Sequence, residues 1–237
     1  MAEFLNDPKT IQQVGYLLDG LPLAIWETLY ATIVSTFFAH LIGIPLGVLL
    51  VAGEEGGVHP LPGALMKVLN MVVNLLRSVP FLILMVVVFP LSRLLLGSSI
   101  GTPATIVPLT IAAFPFVARL VEAALREVDR GVVEAAQAMG CSPMQIIVKV
   151  LIPEGRPALI SAFTTAFITI LSYGAMSGAI GGGGVGSMAI NLGHTRNMTL
   201  VLWTAVIVLV ILVQIFQSIG THLSVRLDKR IQRRVKR

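Results

Sequence analysis

The stretch that decides the fold reads Val133-Glu134-Ala135-Ala136-Gln137-Ala138-Met139-Gly140-Cys141-Ser142-Pro143-Met144-Gln145-Ile146-Ile147-Val148-Lys149-Val150-Leu151-Ile152-Pro153. Alanines favour a first helix, and Gly140 can take the left-handed conformation that ends it. Ser142 is a suitable N-cap, and Pro143 a suitable first residue, for a second helix. Met144, Ile147, Val148 and Leu151 are spaced to share one face of that helix, and Pro153 marks its end. The segment therefore predicts two short helices at a fixed bend. Ala135, Ala136 and Ala138 would let the first helix approach a partner groove closely. An amphipathic hairpin lying at a membrane interface fits the same pattern.

On both sides of this segment the chain is apolar. Of 237 residues, 55% are hydrophobic and 12% charged, and the mean hydropathy is +0.88. A soluble domain carries about a quarter charged residues, so polar side chains are too few here to cover a globule in water. Disorder, collagen and coiled coil are excluded. The single cysteine, Cys141, excludes a disulfide framework and a thiolate metal cluster. His40, His59, His194 and His222 lie too far apart in sequence to suggest a metal site. No metal or cofactor is expected.

A span needs roughly 20 mostly apolar residues. Five stretches qualify, at about 24–52, 79–96, 99–118, 157–180 and 198–220. Leu61–Leu76 reads as an apolar helix at the interface, broken before Pro80, with Arg77 kept at the headgroups. Five spans place the termini on opposite sides. Arg119, Arg126, Arg130, Lys149 and Arg156 cluster around the loop at about 125–156, and seven of the last twelve residues are Lys or Arg. The basic bias puts that loop and the 226–237 tail in the cytoplasm, and residues 1–20 outside. Membrane lipid, and no nucleic acid, is the expected surrounding of this tail. Nothing alternates like a membrane strand. The fold class is an all-α polytopic membrane protein, with a transmembrane domain over 21–225.

Gly181-Gly182-Gly183-Gly184-Val185-Gly186-Ser187 contains the spacing of a dinucleotide loop. It follows an apolar helix rather than a strand, and no Lys precedes Ser187, so a tight turn is the better reading. His40 reads as a buried, hydrogen-bonded histidine, and Glu27 as part of an interfacial cluster with Trp26 and Tyr30. No catalytic constellation is present, so the chain is not expected to be an enzyme by itself. Ser161, Thr165, Thr169, Ser172 and Met176 recur at helical steps of three and four, forming one stripe. The hydroxyls can bond their own backbone or a neighbouring helix. They can equally line a weakly polar pore, with Met176 as a flexible apolar gate on a two-fold axis.

The pattern Glu134-Ala135-Ala136, Gly140, Ile152-Pro153 resembles the EAA loop of ATP-binding-cassette importer permeases, with Val150 and Ile152 where Ile and Leu are usual. Leu76-Arg77-Ser78-Val79-Pro80-Phe81 and Tyr173-Gly174-Ala175-Met176-Ser177-Gly178-Ala179 are similar to segments of the methionine importer permease subfamily. The resemblance implies a bacterial inner-membrane permease that imports methionine and acts as a homodimer. It implies two separate ATPase subunits and an external or lipid-anchored substrate-binding protein. It also implies a coupling helix that carries Glu134, Ala135, Ala136, Gly140, Pro143, Ile152 and Pro153. Two alternatives are a same-family permease for another amino acid or a phosphonate, and an ion-gradient-driven transporter. The latter would want acidic residues at membrane depth.

Overall fold

A computed structural model describes residues 8–228, which are helical and contain no strand. In chain order the elements are α1 (Pro8–Ala52), α2 (Gly63–Ser78), α3 (Phe81–Leu96), α4 (Thr102–Arg126), α5 (Arg130–Ala138) and α6 (Pro143–Ile146). A π-helical segment (Ile147–Leu151) leads to α7 (Ile152–Glu154) and α8 (Arg156–Ser177). A 3-10 turn (Gly178–Ile180), α9 (Gly184–Ser187), a second π segment (Met188–His194) and α10 (Thr199–Leu227) follow. Among the described residues four helices, α1, α4, α8 and α10, are long and apolar enough to cross a membrane. The pair α2 and α3 is bent by 105° at Val79–Pro80, where both residues are extended. Residues 1–7 of the expected external segment, and 229–237 of the basic tail, lie outside the described residues.

The chain divides into two compact units. One takes residues 8–36, 80–111 and 167–215, and the other 37–79, 112–166 and 216–228. In the first, Ala24, Val185, Met188, Val201 and Ala205 form a buried cluster against Leu17, Leu21 and Ile25. Phe81 stacks on Tyr173 at 4.3 Å between ring centroids. In the second, Leu50, Met66 and Val73 pack α2 against α1. Gly43 and Gly47 let α1 cross α4 closely, because a Cβ on Gly47 would lie 2.6 Å from the Ala118 carbonyl oxygen.

Two helices and one stop run past the sequence reading. The helix that carries the span expected over about 24–52 begins at Pro8, and its 45 residues run about 68 Å, twice a bilayer core. Its first turns are held by tertiary contacts. Leu17 and Leu21 pack on the buried cluster, and Gln13 Oε1 accepts from the Leu200 N–H at 2.9 Å. The helix that carries the third apolar run continues past Ala118 to Arg126, because Arg119 is partnered. Its guanidinium donates to Glu122 at 2.6 Å, to Asn70 at 2.8 Å and to Asn74 at 2.9 Å. Arg126 adds contacts to Glu122 at 3.0 Å and Glu54 at 2.7 Å. Pro153 lies one residue inside the end of its helix. The π turn before it, closed by Ile152 N–H to Ile147 O, inserts an extra residue where the proline would break the α ladder. The helix runs through Pro153 to Glu154.

Candidate functional site

The bend at 129–146 forms as its local chemistry directs. Asp129 Oδ1 caps α5 by accepting from the Gly131 N–H at 2.8 Å. Gly140 sits at φ 76° with open space around its Cα, so it serves conformation and not packing. Ser142 and Gln145 close a reciprocal capping box, Ser142 N–H donating to Gln145 Oε1 at 2.9 Å and Gln145 N–H to Ser142 Oγ at 3.4 Å. Pro143 follows as the first helical residue.

The faces of these two helices are not all as the sequence spacing suggests. Ala136 is buried, at 2% exposure, so it packs into its own chain, while Ala135 and Ala138 remain exposed. Ile146 and Leu151 are the buried anchors of the second helix, and Met144 and Val148 are exposed. The π segment shifts the register after Ile146, which a plain period of 3.6 misses. Glu134 is exposed and lines a cavity of about 260 Å³ with Glu54, Glu55, Arg126, Arg130 and Gln137. Ile152 and Pro153 are half-buried. The result is an outward ridge of Glu134, Ala135, Ala138, Met139, Met144 and Val148, with both acid and apolar chemistry on offer.

On α8, Ser161, Thr165, Ser172 and Met176 are exposed and Thr169 is half-buried, so the stripe lies on the outer face of its helix. Thr165 donates to the Ser161 carbonyl at 2.9 Å and Ser172 to the Ile168 carbonyl at 3.0 Å. Ser161 also shares a 2.9 Å hydrogen bond with Ser224. These hydroxyls are thus partnered, and those of Ser161, Thr165 and Ser172 belong to exposed residues with a further oxygen lone pair to offer. His40 is half-buried, its ring tilted against Phe163 at 4.7 Å.

Sequence reasoning missed three features. Gly43 and Gly47 are spaced as G-x-x-x-G, a helix-crossing signal that was legible. Glu122 is buried between Arg119 and Arg126 of its own helix, an ion-paired cluster at the end of an apolar run. Glu27, beside the exposed Trp26 and Tyr30, has a role beyond that cluster, because its carboxylate accepts from the Gly184 N–H at 2.8 Å across 157 positions of sequence. No local signal points to that pairing. Among the described residues no group of His, Cys, Asp and Glu could hold a metal.

The described residues form an all-helical membrane-type fold with a capped, exposed bend between two long apolar helices. Residues 43–233 match the family described as binding-protein-dependent transport system inner membrane component, and the chain belongs to that family. It is 49% identical over 213 residues to the probable D-methionine transport system permease protein MetI of Vibrio cholerae, covering 90% of this chain and 94% of that one. The same-named protein of Pasteurella multocida is 43% identical over 208 residues, covering 88% and 95%. Among solved structures, an inward-facing methionine ABC transporter, MetNI, superposes with a TM-score of 0.85 at 43% identity, covering 87% of this chain and 95% of that one.

Proposed function

We propose that this chain is the permease subunit of an ATP-driven methionine importer. The observation that carries the reading is the near full-length identity to methionine permeases, joined to the exposed, capped bend at Gly140. In this reading the chain crosses the inner membrane five times, with α2 and α3 supplying one broken crossing. The 125–156 loop and the C-terminus are cytoplasmic, and the N-terminus is outside. Two copies assemble about a two-fold axis, and ATP is hydrolysed by separate ATPase subunits.

The ridge around Glu134 and Met144 is the coupling surface. A short helix with exposed apolar and acidic side chains suits insertion into a groove of the ATPase. Gly140 and the Ser142–Gln145 box fix the angle at which it is presented, and the buried Ala136, Ile146 and Leu151 anchor it within the chain. Motion of the groove would therefore reach α8 through the π segment, α7 and the single-residue turn at Gly155.

The exposed stripe of α8 is the permeation wall. Satisfied hydroxyls can share a lone pair with a passing zwitterion and hold it weakly, which release requires. Met176, at the far end of the stripe, would meet its own copy across the axis and seal the resting path with two apolar side chains. Such a wall reads no ammonium or carboxylate, so selectivity is delegated to a substrate-binding protein outside the membrane.

Reconstitution with the ATPase subunits and a methionine-binding protein tests the whole reading. Uptake of labelled methionine should require internal ATP and persist with a proton ionophore. Uptake that collapses with the ionophore and ignores ATP removal would overturn it. The wall is tested separately, because Met176→Ala should raise ATP-independent leak or basal ATP hydrolysis.

A further inference from the structure

The corner made by Gly178–Ile180 and Gly184–Ser187 is packed backbone against backbone. A Cβ on Gly178 would collide with the main chain of Ser187, and one on Gly186 with that of Ala175. The second limb of the corner therefore fixes where the last turn of α8, with Ser172 and Met176, can lie. That limb is itself held from α1. The Gly184 N–H donates to Glu27 Oε2 at 2.8 Å, and the Val185 N–H to Thr28 Oγ1 at 2.9 Å. Thr28 Oγ1 also donates to the Ala24 carbonyl at 2.9 Å, so its hydroxyl is oriented to accept.

These amides open a helical run formed by Gly184–Ser187 and Met188–His194 together. Its first N–H groups have no partner inside the run, and the dipole there favours a carboxylate. Glu27 supplies that carboxylate from another helix. A second side chain points to the same spot. A Cβ on Gly183 would collide with Thr102 Oγ1 and lie 2.6 Å from Glu27 Oε2. Thr102 is 7% exposed, and its hydroxyl has no hydrogen-bond partner. The Gly101 N–H donates to the Gly181 carbonyl at 2.8 Å, which ties the start of α4 to the same corner. Three chain segments thus converge on the glycines, and one carboxylate is the only charge among these contacts.

We infer that Glu27, with Thr28, is a positioning residue for the permeation path. By capping Gly184 and Val185 it holds the glycine corner against α8, and through the Gly186–Ala175 and Gly178–Ser187 contacts it sets the location of Met176. The inference rests on reading the α8 stripe as the path. Glutamine at position 27 keeps the accepting oxygen and loses the charge, whereas alanine loses both.

The test uses the whole importer in vesicles, in a Cys141→Ser background with Met176→Cys as reporter. Glu27→Ala should speed labelling of position 176 by a soluble thiol reagent about tenfold, the factor expected for loss of one charge-assisted hydrogen bond. Glu27→Gln should restore most of the slow rate, and Thr28→Val should fall between. On the native Met176 background, Glu27→Ala should raise basal ATP hydrolysis relative to uptake. Unchanged labelling in Glu27→Ala would overturn the inference. So would Gln and Ala variants that label alike and are equally destabilised, the signature of a merely structural contact. Labelling reports where position 176 lies whether or not it lines the path, and Met176→Ala leak reports the path, so the two readings fail separately.

Discussion

Two glycine corners in this chain solve opposite problems. At Gly140 the glycine takes a left-handed φ of 76° in open space, and its neighbours Met139 and Met144 face outward. At Gly178–Ser187 most of the glycines are crowded, Gly178 by Ser187, Gly183 by Thr102, Gly184 by Thr28 and Gly186 by Ala175, and Gly178, Gly184 and Val185 are buried. The first needs glycine for a conformation alone, the second for space and, at Gly181 and Gly184 with φ of 94° and 82°, for conformation as well. A corner that is conformationally fixed yet sterically empty is suited to present a surface to something else. One packed main chain to main chain is suited to hold its own helices in register.

The comparison breaks most sharply at Gly186. Gly186→Leu should prevent folding or cost about 3 kcal/mol or more, because backbone cannot move aside as a side-chain tip can. The loss of monodisperse protein in detergent chromatography is the measurement, and a well-folded variant would remove the crowding argument. Next come two alanines at left-handed positions. Gly184→Ala adds a Cβ 2.5 Å from Thr28 Oγ1 to the conformational strain, whereas Gly140→Ala carries the strain alone. Gly140→Ala should cost about 1 to 2 kcal/mol and Gly184→Ala clearly more, read as shifts in thermal melting of the purified protein. Equal shifts would mean that conformation, not space, governs both corners.

A smaller effect is expected at the cap. Ser142→Ala should cost about 1 kcal/mol by removing the side-chain acceptor of the capping box, with Ser142→Asp largely preserving stability. The smallest change in stability belongs to Glu134→Lys, which should lie within about 0.5 kcal/mol of the parent because the side chain is exposed. Its effect should instead appear as lost ATPase association or lost ATP-driven uptake. Full uptake would show that the outward corner is not a docking surface.

The legible parts of the fold share one property. Apolar runs, the proline break after Arg77, the Gly140 turn and the Ser142 cap are decided within about one helical turn of sequence. The Ser142–Gln145 pair and the extended Val79–Pro80 link follow from neighbours alone. Where the reading failed, a distant group had intervened. Arg119 stands inside its helix because Asn70, Asn74 and Glu122 meet it, and α1 extends back to Pro8 because Leu200 and the Val185–Met188–Val201 cluster receive it. The α8 stripe was legible as a stripe. Its exposure on the outer face was not, since periodicity gives a face but not its direction.

The sequence by itself determined the solvent, the helices, the bend with its cap, and the family, because each depends on composition or on contacts between near neighbours. Only the tertiary structure decided which side of each helix is buried, that the chain can pass Pro153 through a π turn, and that Glu27 caps an amide at Gly184. A hydrogen bond between groups 157 positions apart leaves no periodic trace in either segment. It exists only once packing has brought a carboxylate to a helix start whose own N–H groups have nowhere else to go.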